Sequence, residues 1–304
     1  MSGTFADRFF ESLEEKAGDV PRRIGRREGI GITARVLQAR ELLVAGLFIE
    51  HPCLILVRRG EKRFVSGGFQ CRIQSGEAVA VPGGVSFDVI NRANEEELYE
   101  AVWLVPDRGL IERAEMSGRA TLVREPTRLG RLDPPFFEAF DRAVEAIADE
   151  ALPEAVAELR VREVLVWLAE RGHRFDLARS ASVAARVRLL VGGNPAHAWT
   201  GPEVARALAM SEATLRRRLA AEEQSLSEIL IDVRMSYGLS LLQATDRPIA
   251  EVAFEVGYQS PSRFAARFRA RFGYPPATVR QGVPRIDRIG TEIDRPRSAA
   301  ETIR

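Results

Sequence analysis

The fold of the C-terminal third is decided by residues 203–219, EVARALAMSEATLRRRL, and by their repeat in residues 251–268, EVAFEVGYQSPSRFAARF. Each copy has Glu-Val-Ala, then an apolar residue, a serine, and two further apolar residues four positions apart. This spacing is typical of two short helices joined by a tight turn. Two such units on one rigid body can place two recognition helices in successive major grooves of DNA. The repeat predicts an all-α domain with a double helix-turn-helix.

The first unit has a clear start and an arginine-rich outer face. Thr200 is a suitable N-cap with Glu203 three residues later, and Ser211 caps the second helix. If Leu215 and Leu219 point inward, the outer face carries Ala213, Thr214, Arg216, Arg217 and Arg218. An isolated arginine triplet is more often a solvated helix face. Within this pattern base reading is favoured, because the planar guanidinium can bond guanine O6 and N7 together.

The second unit follows the same plan. Gly257 stands where the turn needs a positive φ, and Ser260 caps a helix that begins with Pro261. We expect the outer face to carry Ser262, Arg263, Ala266 and Arg267. Arg269 and Arg271 are better placed for phosphate or solvent.

The segment between the units predicts one long helix. Residues 225–244 carry apolar residues at helical spacing over about 20 positions, which is roughly 30 Å at 1.5 Å per residue. A rod of that length can hold two reading helices about one DNA turn, near 34 Å, apart.

The N-terminal half has a β pattern followed by a helical one. Eight short apolar runs recur between residues 32 and 105, separated by turn signals such as residues 59–62, RGEK. This pattern indicates a sandwich or a small barrel, and a barrel can hold a small ligand in its mouth. Two amphipathic helices are expected after Pro134 and Pro153. They either pack on the barrel, which is slightly favoured, or pair with a second subunit.

Composition limits the remaining possibilities. The net charge is +1, but residues 181–282 carry 13 Arg against 9 acidic residues, a balance that suits a polyanion partner. Cys53 and Cys71 form no metal or disulfide pattern and are expected to be buried thiols. No apolar run approaches the roughly 20 residues that span a bilayer, and the N-terminus lacks a secretory signal. We therefore expect a cytoplasmic protein with no membrane partner.

Many spaced positions in the last 100 residues resemble the AraC/XylS family. The matching positions are Arg234-Met235 through Leu241-Leu242, Asp246, residues 249–253, Val256-Gly257-Tyr258, Ser260, Ser262, Phe264, Phe268, Arg271-Phe272-Gly273, Pro275-Pro276 and Arg280. The resemblance implies a bacterial, nucleoid-associated transcription regulator, expected to be an activator. The family's DNA contacts would fall on Ala213, Arg216 and Arg217, and on Ser262, Arg263, Ala266 and Arg267. Two positions depart from the pattern: Ala209 holds the first turn, and Ala266 is too short to bond a base edge.

Residues 24–173 resemble, more loosely, the cupin-like sensing domain of the same family. The expected class is a multidomain α+β chain, with a poorly ordered N-terminus (1–23), the sensing or dimerisation domain (24–173), a linker (174–182), the DNA-binding domain (183–282) and a disordered tail (283–304). The barrel contains one histidine, His51, which we expect to face solvent at a turn. One histidine cannot build a multi-histidine metal site, so neither a metal nor a cofactor is expected.

The expected partners are promoter DNA, RNA polymerase and an effector. The chain is not expected to be an enzyme. Three functions for the barrel stay open: it senses a metabolite, it binds a regulatory protein, or, less favoured, it is a cupin-type enzyme. The effector, the operator, a homodimer and any ligand-binding residues are not defined by the sequence.

Overall fold

The computed structural model describes residues 24–93, 98–114, 120–177 and 182–281. The expected poorly ordered N-terminus and disordered tail, residues 1–23 and 283–304, lie outside these ranges.

The N-terminal half is built from two sheets. The strands are β1 (Ile24–Arg27), β2 (Gly31–Gln38), β3 (Leu42–Ile49), β4 (Cys53–Arg59), β5 (Glu61–Ser66), β6 (Phe69–Gln74), β7 (Glu77–Val81), β8 (Val85–Arg92), β9 (Tyr99–Pro106), β10 (Thr121–Val123), β11 (Thr127–Arg131) and β12 (His173–Phe175). One sheet has the order β1-β2-β9-β4-β7-β11 and the other β3-β8-β5-β6, while β10 and β12 form a separate parallel pair. Side chains from both sheets join one buried cluster, so the sheets pack face to face. We call these two sheets the barrel.

The first two long helices cover the outside of the larger sheet. The helices are α1 (Arg108–Arg113), α2 (Pro134–Ala148), α3 (Glu154–Glu170), α4 (Val183–Gly192), α5 (Gly201–Ala207), α6 (Glu212–Ala221), α7 (Leu226–Ala244), α8 (Ile249–Glu255), α9 (Pro261–Phe272) and α10 (Pro276–Arg280). Strand β4 shows why both faces of the larger sheet are apolar. Ile55 and Val57 point into the barrel, whereas Leu54 and Leu56 pack with α2 and α3. Packing of these helices on the barrel within one chain is confirmed.

The predicted class, a β-barrel followed by helices and an all-α C-terminal domain, is confirmed. The eight apolar runs are strands β2 to β9. A turn is present where residues 59–62 predicted one, but it is shorter than expected, because β4 ends at Arg59 and β5 begins at Glu61. Gly60 alone makes the turn, at φ +77°, where a Cβ would collide with the carbonyl of Arg92.

Two further differences come from long-range pairing. The segment expected to be a linker, 174–182, begins with strand residues Arg174 and Phe175, and Phe175 is buried. Strands β10 and β12 pair across about fifty residues of sequence, which a local pattern does not reveal. No helix within the described ranges is both long enough and apolar enough to cross a bilayer.

Candidate DNA-binding surface and effector cavity

The first helix-turn-helix unit forms around its own core. Val204, Leu215 and Leu219 are buried in a cluster that also contains residues of α4 and the first part of α7. Thr200 and Glu203 form the predicted capping box, and the Ser211 hydroxyl accepts from the backbone N–H of Thr214. The turn residue Ala209 has φ +55°, so this alanine adopts the left-handed conformation that glycine provides in the second unit.

Helix α6 presents the predicted arginine face. Ala213, Arg216, Arg217 and Arg218 are exposed, and none of the three arginines forms an ion pair with a described residue. Thr214 is half-buried because it belongs to the cap with Ser211. No carboxylate in the described part of the chain neutralises these guanidinium groups, which suits a phosphate or base partner.

The second unit shares its core with the barrel. Phe264, Phe268 and Phe272 of α9 are buried in the same cluster as barrel residues such as Val44 and Phe87. Ser260 caps α9 as predicted, and Gly257 has φ +84°. A Cβ on Gly257 would lie 2.9 Å from the carbonyl oxygen of Ala196, so the close approach also requires glycine.

Helix α9 presents the second predicted face. Ser262, Arg263, Ala266, Arg267 and Arg269 are all exposed. Arg263, Ala266 and Arg267 line a surface groove with Gly257 and Tyr258. The two faces were found from the sequence alone because helix caps and buried apolar positions fix which residues point outward.

One arginine of α9 does not point to solvent. We expected Arg271 to contact phosphate or solvent, and this was wrong for the structure described here. Its guanidinium donates to the carbonyls of Ala45 and Gly46 in β3, at 2.8 and 3.0 Å, and to Asp232 at 2.7 Å. Arg271 therefore ties α9 and α7 to the barrel. Its carbonyl partners lie more than 220 residues away in sequence, so no local pattern indicates them.

A cavity of about 240 Å³ lies between the barrel and α7. Its barrel side includes Leu47, Phe48 and Trp103, and its helix side includes Val233 and Gln243. The walls are mainly apolar with a few polar groups among them, which is the usual make-up of a small-molecule site. Nothing in the sequence indicated these residues, because the cavity exists only once the barrel and α7 meet.

Two titratable groups, Glu50 and His51, lie side by side in the wall of this cavity. Burial raises the pKa of the Glu50 carboxyl to about 7, and the nearby Arg188 guanidinium opposes this shift. Glu50 lies against the end of α4, where a Cβ on Gly192 would collide with the carboxylate. His51 is exposed, as expected, but it lines the cavity beside Glu50. The described residues contain no group of three or more metal-ligating side chains.

Two family models match the chain, one in each half. The AraC-type transcriptional regulator N-terminus matches residues 35–174, and a helix-turn-helix domain matches residues 204–282. The chain belongs to the AraC family. The resemblance seen in the sequence is confirmed for both halves of this AraC-family chain.

Several proteins are similar to parts of the chain. "HTH-type transcriptional regulator YdeO" of Escherichia coli is 35% identical over 98 residues, which is 32% of this chain and 38% of YdeO. "Transcriptional regulator SirC" of Salmonella typhimurium is 44% identical over 78 residues, 26% of each protein. The matched part therefore spans between about a quarter and two fifths of the length of these relatives.

Most of the fold has a solved counterpart. A crystal structure of apo ToxT from Vibrio cholerae matches with a TM-score of 0.60 and 12% identity, covering 83% of this chain and 97% of ToxT. At this identity the match shows a shared fold, with a β-rich N-terminal domain and a helical C-terminal domain.

Proposed function

We propose that this chain is a sequence-specific DNA-binding transcription regulator whose barrel responds to a small effector. The observation that carries the proposal is the pair of exposed arginine-bearing helices, α6 and α9, each at the same position of a helix-turn-helix unit. The residues proposed to contact DNA are Ala213, Thr214, Arg216, Arg217, Arg218, Ser262, Arg263, Ala266, Arg267 and Arg269. Arg216 and Arg267 are proposed to read bases, and Arg269 to contact phosphate.

The relatives support the same proposal. YdeO and SirC, each similar to part of this chain, are transcriptional regulators. We therefore propose a protein that acts at the bacterial nucleoid as an activator in contact with RNA polymerase, with no enzymatic activity. A homodimer is proposed through α3, where Leu159 and Val166 are exposed on the side away from the barrel.

The effector is proposed to bind in the cavity between the barrel and α7. ToxT has been solved with an unsaturated fatty acid and with (E)-4-(8-methylnaphthalen-1-yl)but-3-enoic acid. Both ligands have apolar bodies, and the apolar walls of this cavity suit a molecule of that kind. The volume corresponds to only about eight waters at ~30 Å³ each, so a small effector is favoured over a protein partner.

An unbiased oligonucleotide selection with the full chain tests the proposal. We expect a recurring sequence with two separate conserved blocks, one for each unit. Arg216→Ala should relax the preference within one block and leave the other unchanged. Recovery of no preferred sequence by the folded full chain would overturn the proposed function.

A further inference from the structure

A fully buried lysine lies inside the barrel, close to the cavity. Lys62 of β5 donates from Nζ to Oδ1 of Asn91 at 2.7 Å. Its ammonium lies 5.3, 5.6 and 5.5 Å from the ring centres of Phe64, Tyr99 and Trp103. No carboxylate among the described residues forms an ion pair with it. A buried cation with one neutral partner is costly for the folded state.

The surroundings of Lys62 are rich in donors and poor in acceptors. Within the described chain, the Tyr99 hydroxyl and Trp103 Nε1 are buried without hydrogen-bond partners. Burial lowers the pKa of Lys62 to about 7, and it raises the pKa values of the Cys53 thiol and the Tyr99 hydroxyl, so neither supplies a counter-charge at neutral pH. The missing component is an acceptor that carries negative charge.

Two residues that line the proposed effector cavity also lie beside this lysine. Cys53 and Trp103 line the cavity, and both face Lys62 inside the barrel. A ligand with its apolar body between the barrel and α7 can therefore bring a terminal acidic group toward Lys62. Lysine has a flexible stem, so its ammonium can also move toward the ligand.

A chain of buried amides runs from Lys62 to α7. Nδ2 of Asn91 and Nε2 of Gln243 both donate to Oε1 of Gln38, at 3.3 and 3.1 Å. Asn91 is also the partner of Lys62, and Gln243 belongs to α7, the rod between the two reading units. Gln38, Asn91 and Gln243 are all buried, so each amide depends on the next for its hydrogen bonds.

We propose that Lys62 binds the acidic group of the effector, and that Asn91, Gln38 and Gln243 transmit its occupancy to α7. This inference rests on the proposed function for the effector and the DNA. A carboxylate in the cavity accepts from N–H groups of Lys62 that Asn91 does not use, and it draws the ammonium away from Asn91. Asn91 then changes its pairing with Gln38, and Gln38 is the acceptor that holds Gln243. The ligand therefore has different affinities for two arrangements of α7. A ligand needs such a difference if it is to change DNA affinity.

Lysine NMR tests the binding half directly. Lys16 and Lys62 are the only lysines in the sequence, so full-length protein labelled with [ε-13C]lysine gives two signals, and Lys16→Met assigns them. Octanoate should raise the pKa of Lys62 by at least one pH unit, because a carboxylate stabilises the ammonium. The matched alcohol, 1-octanol, should leave this pKa unchanged. An unchanged Lys62 pKa at millimolar octanoate overturns the assignment of Lys62.

DNA affinity tests the transmission half. With the selected DNA sequence, octanoate should change the affinity of the full chain by about fivefold or more. Lys62→Met and Gln243→Leu should each reduce this change to less than twofold, while exposed Gln70→Leu retains it. Gln243→Leu should keep the NMR response of Lys62; Gln243→Met serves if the leucine variant folds poorly. Full coupling in the Gln243 variant, or no effect of octanoate on wild-type affinity, overturns the relay.

The two experiments separate this inference from the proposed function. The NMR titration contains no DNA, so it decides the role of Lys62 even if the selection recovers no sequence. If the selection recovers a DNA sequence but octanoate leaves the pKa of Lys62 unchanged, the proposed DNA-binding regulator stands. The proposed binding of an acidic group at Lys62 is then overturned.

Discussion

The two helix-turn-helix units have the same sequence plan but different structural surroundings. The first unit is completed by its own helices: both carboxylate oxygens of Glu222 accept from the N-terminal amides of α4, at 2.8 Å each. The second unit is completed by the barrel, through the phenylalanines of α9 and through Arg271. The barrel is therefore positioned to control the second unit directly and the first unit through α4 and α7.

Asp232 of α7 links the second unit to α4, the helix that packs on the first unit. It accepts from Arg271 of the second unit at 2.7 Å and from Arg188 of α4 at 3.3 Å. Arg188 also stacks on Phe48 of the barrel, with 4.9 Å between the guanidinium carbon and the ring centre. A change at the barrel surface of β3 can therefore reach both units through one carboxylate.

The largest expected effect is the loss of stability on truncating a core residue, and it distinguishes the core of the first unit from that of the second. Phe264→Ala should cost about 3–5 kcal/mol and Leu215→Ala about 2–5 kcal/mol of unfolding free energy, because each leaves a cavity. In hydrogen exchange of the full chain, Phe264→Ala should raise exchange in α9, α7 and β3. Leu215→Ala should raise it in α4, α5 and α6. Equal loss of protection in β3 in both variants would show that the cores are not separate.

A second prediction concerns the contact of α4 with the barrel at Glu50. The pKa of the Glu50 carboxyl is about 7 in the folded chain, whereas it is about 4.5 in the unfolded chain. The folded state therefore loses stability as the pH rises between these values, by roughly 3 kcal/mol at most. Glu50→Gln should lack this loss and become more stable than wild type at about pH 8. Denaturant unfolding across the pH range measures it, with the exposed Glu251→Gln as the control.

A third prediction compares the reading faces. Arg216→Ala and Arg267→Ala should each lower the affinity for the selected sequence by about 1–3 kcal/mol, and each should relax preference at its own base pair. Arg40→Ala, exposed between β2 and β3, is the matched control and should bind as wild type. Loss of preference at the same base pair in both variants would contradict two independent readers.

The smallest expected effect is at Arg269. As a phosphate contact it should weaken binding to all sequences similarly and reduce the salt slope of log K by about 1. Binding curves at several salt concentrations, on selected and scrambled DNA, measure both. A sequence-dependent loss would make Arg269 a base reader instead.

The C-terminal domain could be predicted closely because its signals are local. Thr200, Ser211 and Ser260 cap helices as expected, and the long helix begins directly after Ser225. The cavity and the role of Arg271 could not be predicted, because their partners are brought together only by tertiary packing. Lys62 was hidden for another reason: it lies in a run of charged residues that reads as a turn, yet β5 places it inside the barrel.

A spin-label distance measurement tests whether the barrel holds the second reading unit in place through Arg271. Cys53 and Cys71 are buried, so introduced cysteines at exposed Gln70, Arg217 and Ala266 can be labelled in pairs. We expect Arg271→Ala to broaden the Gln70–Ala266 distance distribution strongly and the Gln70–Arg217 distribution much less. An unchanged Gln70–Ala266 distribution, or equal broadening of both, would contradict it.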